Sequence, residues 1–568
     1  MSDSFVRLQG LLPQLENAGP SKIDLTADAL LHWIEELPWR HPEQVACLML
    51  DALREVNRAQ LKAHRRLEAL EALRRPVCRL LDESAALQVD TFPMSAPRQR
   101  VSDNVQEVER EFMLGYVGTV CGLCAPAGTV PLLQGGVAAL ALTRAIQHQS
   151  ARLWNAYLSH SAPETGVWRC LHDLFLFAVS IRCDDKLVTD PLTKGGKTSA
   201  RKAYAQALLH AFAKPYNFTQ KENQALGAAL PLLSMLCDVR PGLAPQGAIT
   251  VCTDGDHAPP SPRFGRRVEV ASLWLLDVNP LVSTLEAALA QNLDHGAVTV
   301  SIAVPGAGSA ELPADLAKRL ASVWAGRCER AFKRINDGFE VDTAVGMYAV
   351  HSVLAGGLDF NAYRHADAAS APNIPTCVRA QLAPAQVLDR SNGGYRMRWS
   401  ADSSVRLRVG EIVAFASARD VQMSWMIGML RWLRVDESGA VEGGVETLAL
   451  EAEAVSVVGY DVRGLAEPPL RGVLIADGVH AGGEGARYMI VSELFDRAAI
   501  RIDEAKFDDP AHARTLQTEA IKDFYVCDFG GLYRQIMLPQ PAQAPFDAAQ
   551  AANEASIGGP ATLLTMRR

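Results

Sequence analysis

The sequence predicts an α+β multidomain chain: an N-terminal all-helical module, then a small antiparallel β-barrel, then additional β-rich segments. Three observations predict it. At 568 residues the chain is too long for a single core. Apolar residues recur at helical spacing over residues 24–236. From Gly247 onward the texture changes to short strand-like runs punctuated by Gly and Pro.

Residues 24–90 read as helices, with Pro42 as a first-turn proline and Val45, Leu48, Met49, Ala52, Leu53 and Val56 on one face. Pro76 is expected to end or kink that pattern, and the Pro-, Ser- and Arg-rich stretch 92–101 reads as a linker. Helical periodicity returns at 104–116, 136–159, 167–181, 200–212 and 221–236, which completes a helical module over 1–246. No repeated residue pattern marks a helical-repeat array. Residues 247–324 read as a small α/β segment, with strand-like runs at 248–252, 268–274 and 297–303 and a helix signalled by Pro313 and Asp315 that runs to about Arg334.

The barrel is expected within 325–460. A loop rich in Ala, Gly and Asp (355–375) precedes strands at 378–388, 395–399, 411–416, 425–435 and 441–450, and five strands at this spacing suit a small barrel. A C-terminal β-rich segment (461–540) contains runs at 472–475, 488–491, 498–502 and 524–527. The tail 541–568, rich in Ala, Pro and Gln, is expected to be poorly ordered.

Composition excludes several function classes. A net charge of −8 and a pI near 5.9 argue against a global nucleic-acid-binding face. Only 12 of the 56 basic residues are Lys, so most cationic groups are planar forks suited to phosphates and guanine edges. The 11 Cys form no disulfide framework and the N-terminus carries no secretory pattern, which implies a cytoplasmic protein. The uncharged stretch 112–143 is long enough to span a bilayer, but Pro126, Pro131 and six glycines interrupt it, so a buried helical core around a loop is expected and no membrane insertion.

Cys121-Gly-Leu-Cys124 has half-site spacing without a second pair, and reads as buried thiols. Lys194-Gly-Gly-Lys197-Thr198 resembles the end of a phosphate loop whose first glycine is replaced by Pro191, and reads as a flexible loop. No zinc-protease or hydrolase signature is present, so no enzyme, metal or cofactor is expected.

The best chemical clue is Asp389-Arg-Ser-Asn-Gly-Gly-Tyr-Arg-Met-Arg398. It is a polar turn between an apolar run at 386–388 and a strand in which Tyr395, Met397 and Trp399 alternate with Arg396, Arg398 and Ser400. Asn-Gly-Gly tolerates the positive φ of a tight hairpin. Upstream stands Arg330-Ala-Phe-Lys-Arg334, which also reads as the solvated end of the preceding helix.

Together these residues resemble the signature of the PilZ domain, a small β-barrel that binds cyclic di-GMP: Arg-x-x-x-Arg before the first strand, and Asp/Asn-x-Ser-x-x-Gly between the second and third. Arg330 and Arg334 fit the first part, and Asp389, Ser391 and Gly394 the second. Val409-Gly410-Glu-Ile-Val-Ala, Trp425-Met-Ile-Gly428-Met-Leu-Arg431-Trp432-Leu and Gly443-Gly444-Val445-Glu are similar to the family's later strands, so the likeness covers about residues 325–450. One departure is the 55 positions between Arg334 and Asp389, for which 355–375 reads as an insertion. Arg364 and Arg379 are alternative partners for the hairpin.

The resemblance implies a PilZ-like barrel and a non-enzymatic receptor with cyclic di-GMP as its ligand. It also implies an unidentified protein partner, in settings such as surface motility, type IV pili or exopolysaccharide control. The ligand-binding residues it points to are Arg330, Arg334, Asp389, Ser391 and Gly394, with Arg327 in the same cluster and Arg396 lining the pocket. The chemistry fits: a guanidinium fork matches phosphate or the O6/N7 edge of guanine, and an ionised Asp accepts from N1–H and N2–H₂. A scaffold or chaperone-like adaptor that binds no nucleotide is the alternative.

Overall fold

The computed structural model describes residues 3–13, 23–86, 91–192, 196–242, 249–259, 272–293, 298–327, 334–336, 338–365, 382–417, 425–461, 463–476, 487–492, 499–504, 515–516, 525–529 and 532–537. By its internal packing the chain divides into two units. The first joins Met1–Thr343, Ala383–Glu411 and Met429–Glu446; the second joins Ala344–Leu382, Ile412–Gly428 and Thr447–Arg568.

The first unit opens with helices α1 (Asp3–Gly10), α2 (Ala27–Glu35), α3 (Pro42–Arg58), α4 (Ala63–Ala86), α5 (Ala96–Cys124), α6 (Gly135–Leu158), α7 (Val167–Ser180), α8 (Ala200–Phe212) and α9 (Gln220–Leu233). Their starts follow local chemistry. Proline occupies the first turn of α3 and α5, the Ser199 side chain caps α8, and Thr219 with Glu222 forms a capping box on α9.

Two expectations are corrected here. Pro76 does not end its helix; α4 runs through it, held by the buried face Leu67, Leu70, Leu73 and Val77, whose packing outweighs one lost backbone hydrogen bond. The stretch 92–101 is no linker, because Ser95 and Pro97 are the start signal of α5. The uncharged stretch is split between α5 and α6 by a turn, and no described helix is long and apolar enough to cross a membrane.

A three-stranded antiparallel sheet (Asp238–Pro241, Leu273–Asp277 and Ile249–Cys252 in spatial order) follows, then α10 (Asn279–Leu293), the hairpin Thr299–Val304/Gly308–Pro313, and α11 (Ala314–Trp324). One apolar core runs through this whole region, from Phe5 to Trp324. Helix α11 stops at Trp324 and does not reach Arg334, because Gly326 at φ 69° reverses the chain just past the C-cap.

The barrel strands are β1 (Ile335–Asn336), β2 (Glu340–Val345), β3 (Ala383–Ser391), β4 (Gly394–Trp399), β5 (Ile412–Ser417), β6 (Met426–Val435) and β7 (Val441–Ala449). Their order is β4-β7-β6-β5-β2-β3, a β3–β4 pairing closes six strands into a barrel, and β1 adds to β3. Met397 and Trp399 point inward, where Trp399 Nε1 donates to Thr343 Oγ1 (3.0 Å), which donates to the Ala383 carbonyl (2.6 Å).

In the second unit, α12 (Gly346–Leu354) and α13 (Phe360–His365) occupy part of the β2–β3 connection, and α13 falls within the stretch 355–375 that the sequence reads as loop. They pack on a seven-stranded antiparallel sheet of β8 (Glu453–Tyr460), β9 (Leu470–Ala476), β10 (Arg487–Ser492), β11 (Ala499–Glu504), β12 (Thr515–Leu516), β13 (Tyr525–Phe529) and β14 (Tyr533–Met537), in the order β12-β11-β8-β9-β10-β14-β13. His351 Nε2 meets the Val455 carbonyl at 3.2 Å, Tyr363 Oη donates to the Ala454 carbonyl at 2.7 Å, and the Arg471 guanidinium lies 4.7 Å from the rings of Tyr348 and Phe360. The expected strand at 268–274 lies partly, and the tail 541–568 wholly, outside the described residues.

Candidate functional site

The hairpin β3–β4 turns through Asn392 and Gly393, with Ser391 paired to Gly394. The positive φ expected in this turn falls on Gly394, at 155°. A side chain there would also overlap the Val445 carbonyl of β7, so glycine is required for β4 to pair with β7 in register. A bulge between Val387 and Asp389 shifts the β3 register by one residue, so that Asp389 faces Arg396 directly across the hairpin.

Strand β1 then brings in the distant arginine. Asn336 pairs with Asp389 and Ile335 with Arg390, which leaves Arg334 beside the hairpin. Its Nη1 donates to Asp389 Oδ1 at 2.6 Å. Arg396 Nη1 lies 3.6 Å from Asp389 Oδ2, and its Nη2 donates to Glu442 Oε2 at 2.8 Å, with Arg434 Nη2 at 3.7 Å from the same oxygen. The hydrogen bond and charge of Glu442, joined by Asp389, raise the pKa of Arg396 above its ordinary value. Arg396 Nε has no partner among the described residues.

Asp389 is buried, whereas the side chains of Arg334 and Arg396 are 36% and 34% exposed. Ion pairs to guanidinium groups this open contribute about 0–1 kcal/mol. They are therefore exchangeable: an incoming anion or base edge can take over the guanidinium donors and leave Asp389 free to accept. Ser391 Oγ is held only loosely, 3.4 Å from the Gly394 carbonyl.

Although Arg398 stands across from Glu442 on the face of Arg396, the remaining residues singled out in the sequence have other partners, sit on other elements or lie outside the described residues. Arg330 and Arg379 are outside them. Arg327 follows the end of α11 and pairs with Glu286 at 2.7 Å. Arg364 lies on α13. Arg398 donates to Asp436 at 2.5 Å. Arg334 is not the end of α11, so the helix-end reading does not hold for it.

Three residues of this face are not among the site residues expected from the sequence: Glu442, Arg434 and Trp432, the last read only as part of a later strand. The Trp432 indole packs against Gly444, where any side chain would collide with the ring, and Gly444 is the cross-strand neighbour of Arg396. On the inner side Gly443 makes the matching room for Leu430 and Trp399. The signal was present, since alternation in Val441-Glu-Gly-Gly-Val-Glu446 puts Glu442, Gly444 and Glu446 on the face of Arg396. The outer barrel face thus offers a carboxylate, a set of guanidinium forks and an aromatic plane, which suits an anionic ligand with a planar base.

The other motifs carry no such site. Burial pushes the Cys121 and Cys124 thiols up to about 12 and about 11, away from the thiolate form that binds metals or reacts. Among the described residues no group of His, Cys, Asp and Glu could hold a metal ion. Lys197 and Thr198 form a short strand paired with Val188–Thr189, and Lys194 lies outside the described residues.

Comparison with known proteins gives a consistent pattern. Residues 28–244 match the family model for the N-terminal domain of the cyclic-di-GMP receptor FimW, and residues 249–381 and 375–454 match the model for its middle PilZ domain. Cyclic-di-GMP receptor FimW of Pseudomonas aeruginosa is 23% identical over 490 residues, covering 76% of this chain and 78% of that protein. No solved structure matches the chain.

Proposed function

The chain belongs to the PilZ-domain family, as a divergent cyclic di-GMP receptor with a large N-terminal helical module, and from that premise we propose that the nucleotide docks on the outer barrel face around Asp389. The observation that carries this reading is the Arg334–Asp389 hydrogen bond, which joins the two halves of the signature. On binding, Arg334 and Arg396 turn from Asp389 to phosphate oxygens or to a guanine O6/N7 edge, and Asp389 accepts from guanine N1–H and N2–H₂. Trp432 supplies a face for base stacking, and Ser391 an additional hydroxyl.

The output runs through β6. The strand that carries Trp432 and Arg434 ends in backbone contact with the helical module: Val435 N donates to the His160 carbonyl (2.8 Å), and His160 Nδ1 meets the Leu433 carbonyl (3.0 Å). Nearby, Phe92 and Leu407 exchange backbone hydrogen bonds of 2.7 and 2.8 Å. A nucleotide that favours one setting of β6 biases the helical module with it, and that module is the part that engages a protein partner. Calorimetric titration of the intact chain with cyclic di-GMP tests the reading. Absence of binding at micromolar nucleotide rejects it and returns the chain to the scaffold class.

A further inference from the structure

The helical module contains a cavity of ≈ 360 Å³ walled by α4, α5, α6, α8 and α9, within the range of small-molecule sites. Its surface is mostly apolar, from residues such as Ala151, Leu158 and Leu230, with Trp154 as an aromatic wall. Three buried nitrogens of lining residues have no partner among the described residues: His148 Nε2, Arg74 Nε and His210 Nε2, of which the first two carry the argument. His148 is 4% and Arg74 7% exposed, so both are groups that folding does not leave unpaired without cause.

Their hydrogen-bonding roles are assignable. His148 Nδ1 lies 2.6 Å from the buried carboxylate of Glu109; with Nδ1–H donating to that carboxylate, Nε2 is left to present its lone pair as an acceptor. Arg74 is a donor at Nε, and its other nitrogens are taken up by Asp190 at 2.9 and 3.1 Å. Arg74 and Arg144 share Asp190, and Arg144 also pairs with Glu71, so the two guanidinium charges are matched by two carboxylates and the cavity offers no attraction to phosphates and other anions. His210, which lies 5.6 Å from Trp154, is kept neutral because burial pushes its pKa down to about 4.

We propose that this cavity is a second ligand site, separate from the barrel, for an uncharged bicyclic heteroaromatic molecule that carries both an N–H donor and a lone-pair nitrogen. The donor meets His148 Nε2, the lone pair meets Arg74 Nε–H, and the ring packs on Trp154.

Benzimidazole, which has both groups and is neutral at pH 7.5, is the probe; 1-methylbenzimidazole lacks the donor and indole lacks the lone pair. Calorimetry on the intact protein should give saturable binding of benzimidazole, with each control weaker by about ten-fold for the lost hydrogen bond. Ala151→Leu fills the cavity and should abolish binding; a circular-dichroism melt close to wild type shows that the variant is folded. Ala207→Leu, on the facing helix, repeats the test if Ala151→Leu does not fold. No binding of benzimidazole to wild type, binding of either control as tight as that of benzimidazole, or unchanged binding to a folded filled-cavity variant overturns the proposal and leaves a cavity occupied by water alone.

Discussion

Arg334 Nη1 donates to Asp389 Oδ1 at 2.6 Å, across 55 positions of sequence that include the helices α12 and α13. The two residues meet because β1 pairs with β3 at Asp389 and a bulge aims that side chain at the arginines. Planar donors are the point of this arrangement. Arg334→Lys keeps the charge but loses the fork, so it should weaken cyclic di-GMP binding nearly as much as Arg334→Ala, by about ten-fold or more. Isothermal titration measures it; full affinity in the lysine variant would reduce Arg334 to a point charge.

Glu442 competes with ligand for Arg396, which it holds at 2.8 Å. Glu442→Gln should therefore free the guanidinium and tighten nucleotide binding by a few-fold, about 0.5–1 kcal/mol. Weaker binding in this variant would mean that Glu442 orients Arg396 and does not restrain it.

Trp432 lies over Gly444 beside Arg396. Trp432→Ala should cost about 1–3 kcal/mol of nucleotide affinity, with Trp432→Phe retaining part of it. The loss should appear in the titration, and the nucleotide-dependent quenching of tryptophan fluorescence should shrink with it.

Gly394 acts on the barrel before it acts on any ligand. Gly394→Ala sets a Cβ against the Val445 carbonyl at a φ of 155°, so the variant should melt measurably earlier than wild type, by about 1–3 kcal/mol of stability. A thermal melt equal to wild type with lost binding would instead assign the glycine to ligand contact.

Acid sensitivity should come from the helical module. Burial pushes the pKa of His160, His172 and His210 down from 6.5 to about 4. Between these values the unfolded chain binds protons that the folded chain refuses, so stability is complete above pH 6.5 and falls as pH drops towards 4. A second loss follows at lower pH, where Asp190 protonates. Burial alone would raise its pKa, but hydrogen bonds and charge from Arg74, with Arg144, hold it well below the usual carboxylate range. Denaturant melts at pH 7, 6 and 5 should show decreasing midpoints at unchanged slope, at about 1.4 kcal/mol per pH unit for each titrating histidine in the steep part.

The helices were legible because long amphipathic periodicity carries its own signal, as in α8 over Ala200–Phe212, where Ser199 caps the start. Prolines are harder to read because their effect depends on position: Pro97, in the stretch that reads as a linker, sits where no backbone donor is needed and opens α5, and α4 continues past Pro76 on the strength of its packing. Asp389, Ser391 and Gly394 stood out as a local pattern. The meeting with Arg334 is implied only by the family resemblance, since it depends on a two-residue strand, β1, and on a register shift that leaves no residue signature. Trp432 and Glu442 do not stand out as site residues because their relevance comes from strand order and not from sequence spacing: β7 lies next to β4, and β6 next to β7.

The central claim is that Arg334 and Asp389 belong to one nucleotide site. A double-mutant cycle on cyclic di-GMP affinity, with wild type, Arg334→Ala, Asp389→Ala and the double variant titrated under one salt condition, tests it most directly. The account predicts that each single change weakens binding and that the pair is non-additive by about 1 kcal/mol or more. Additive effects, or affinity unchanged in both single variants, would contradict it.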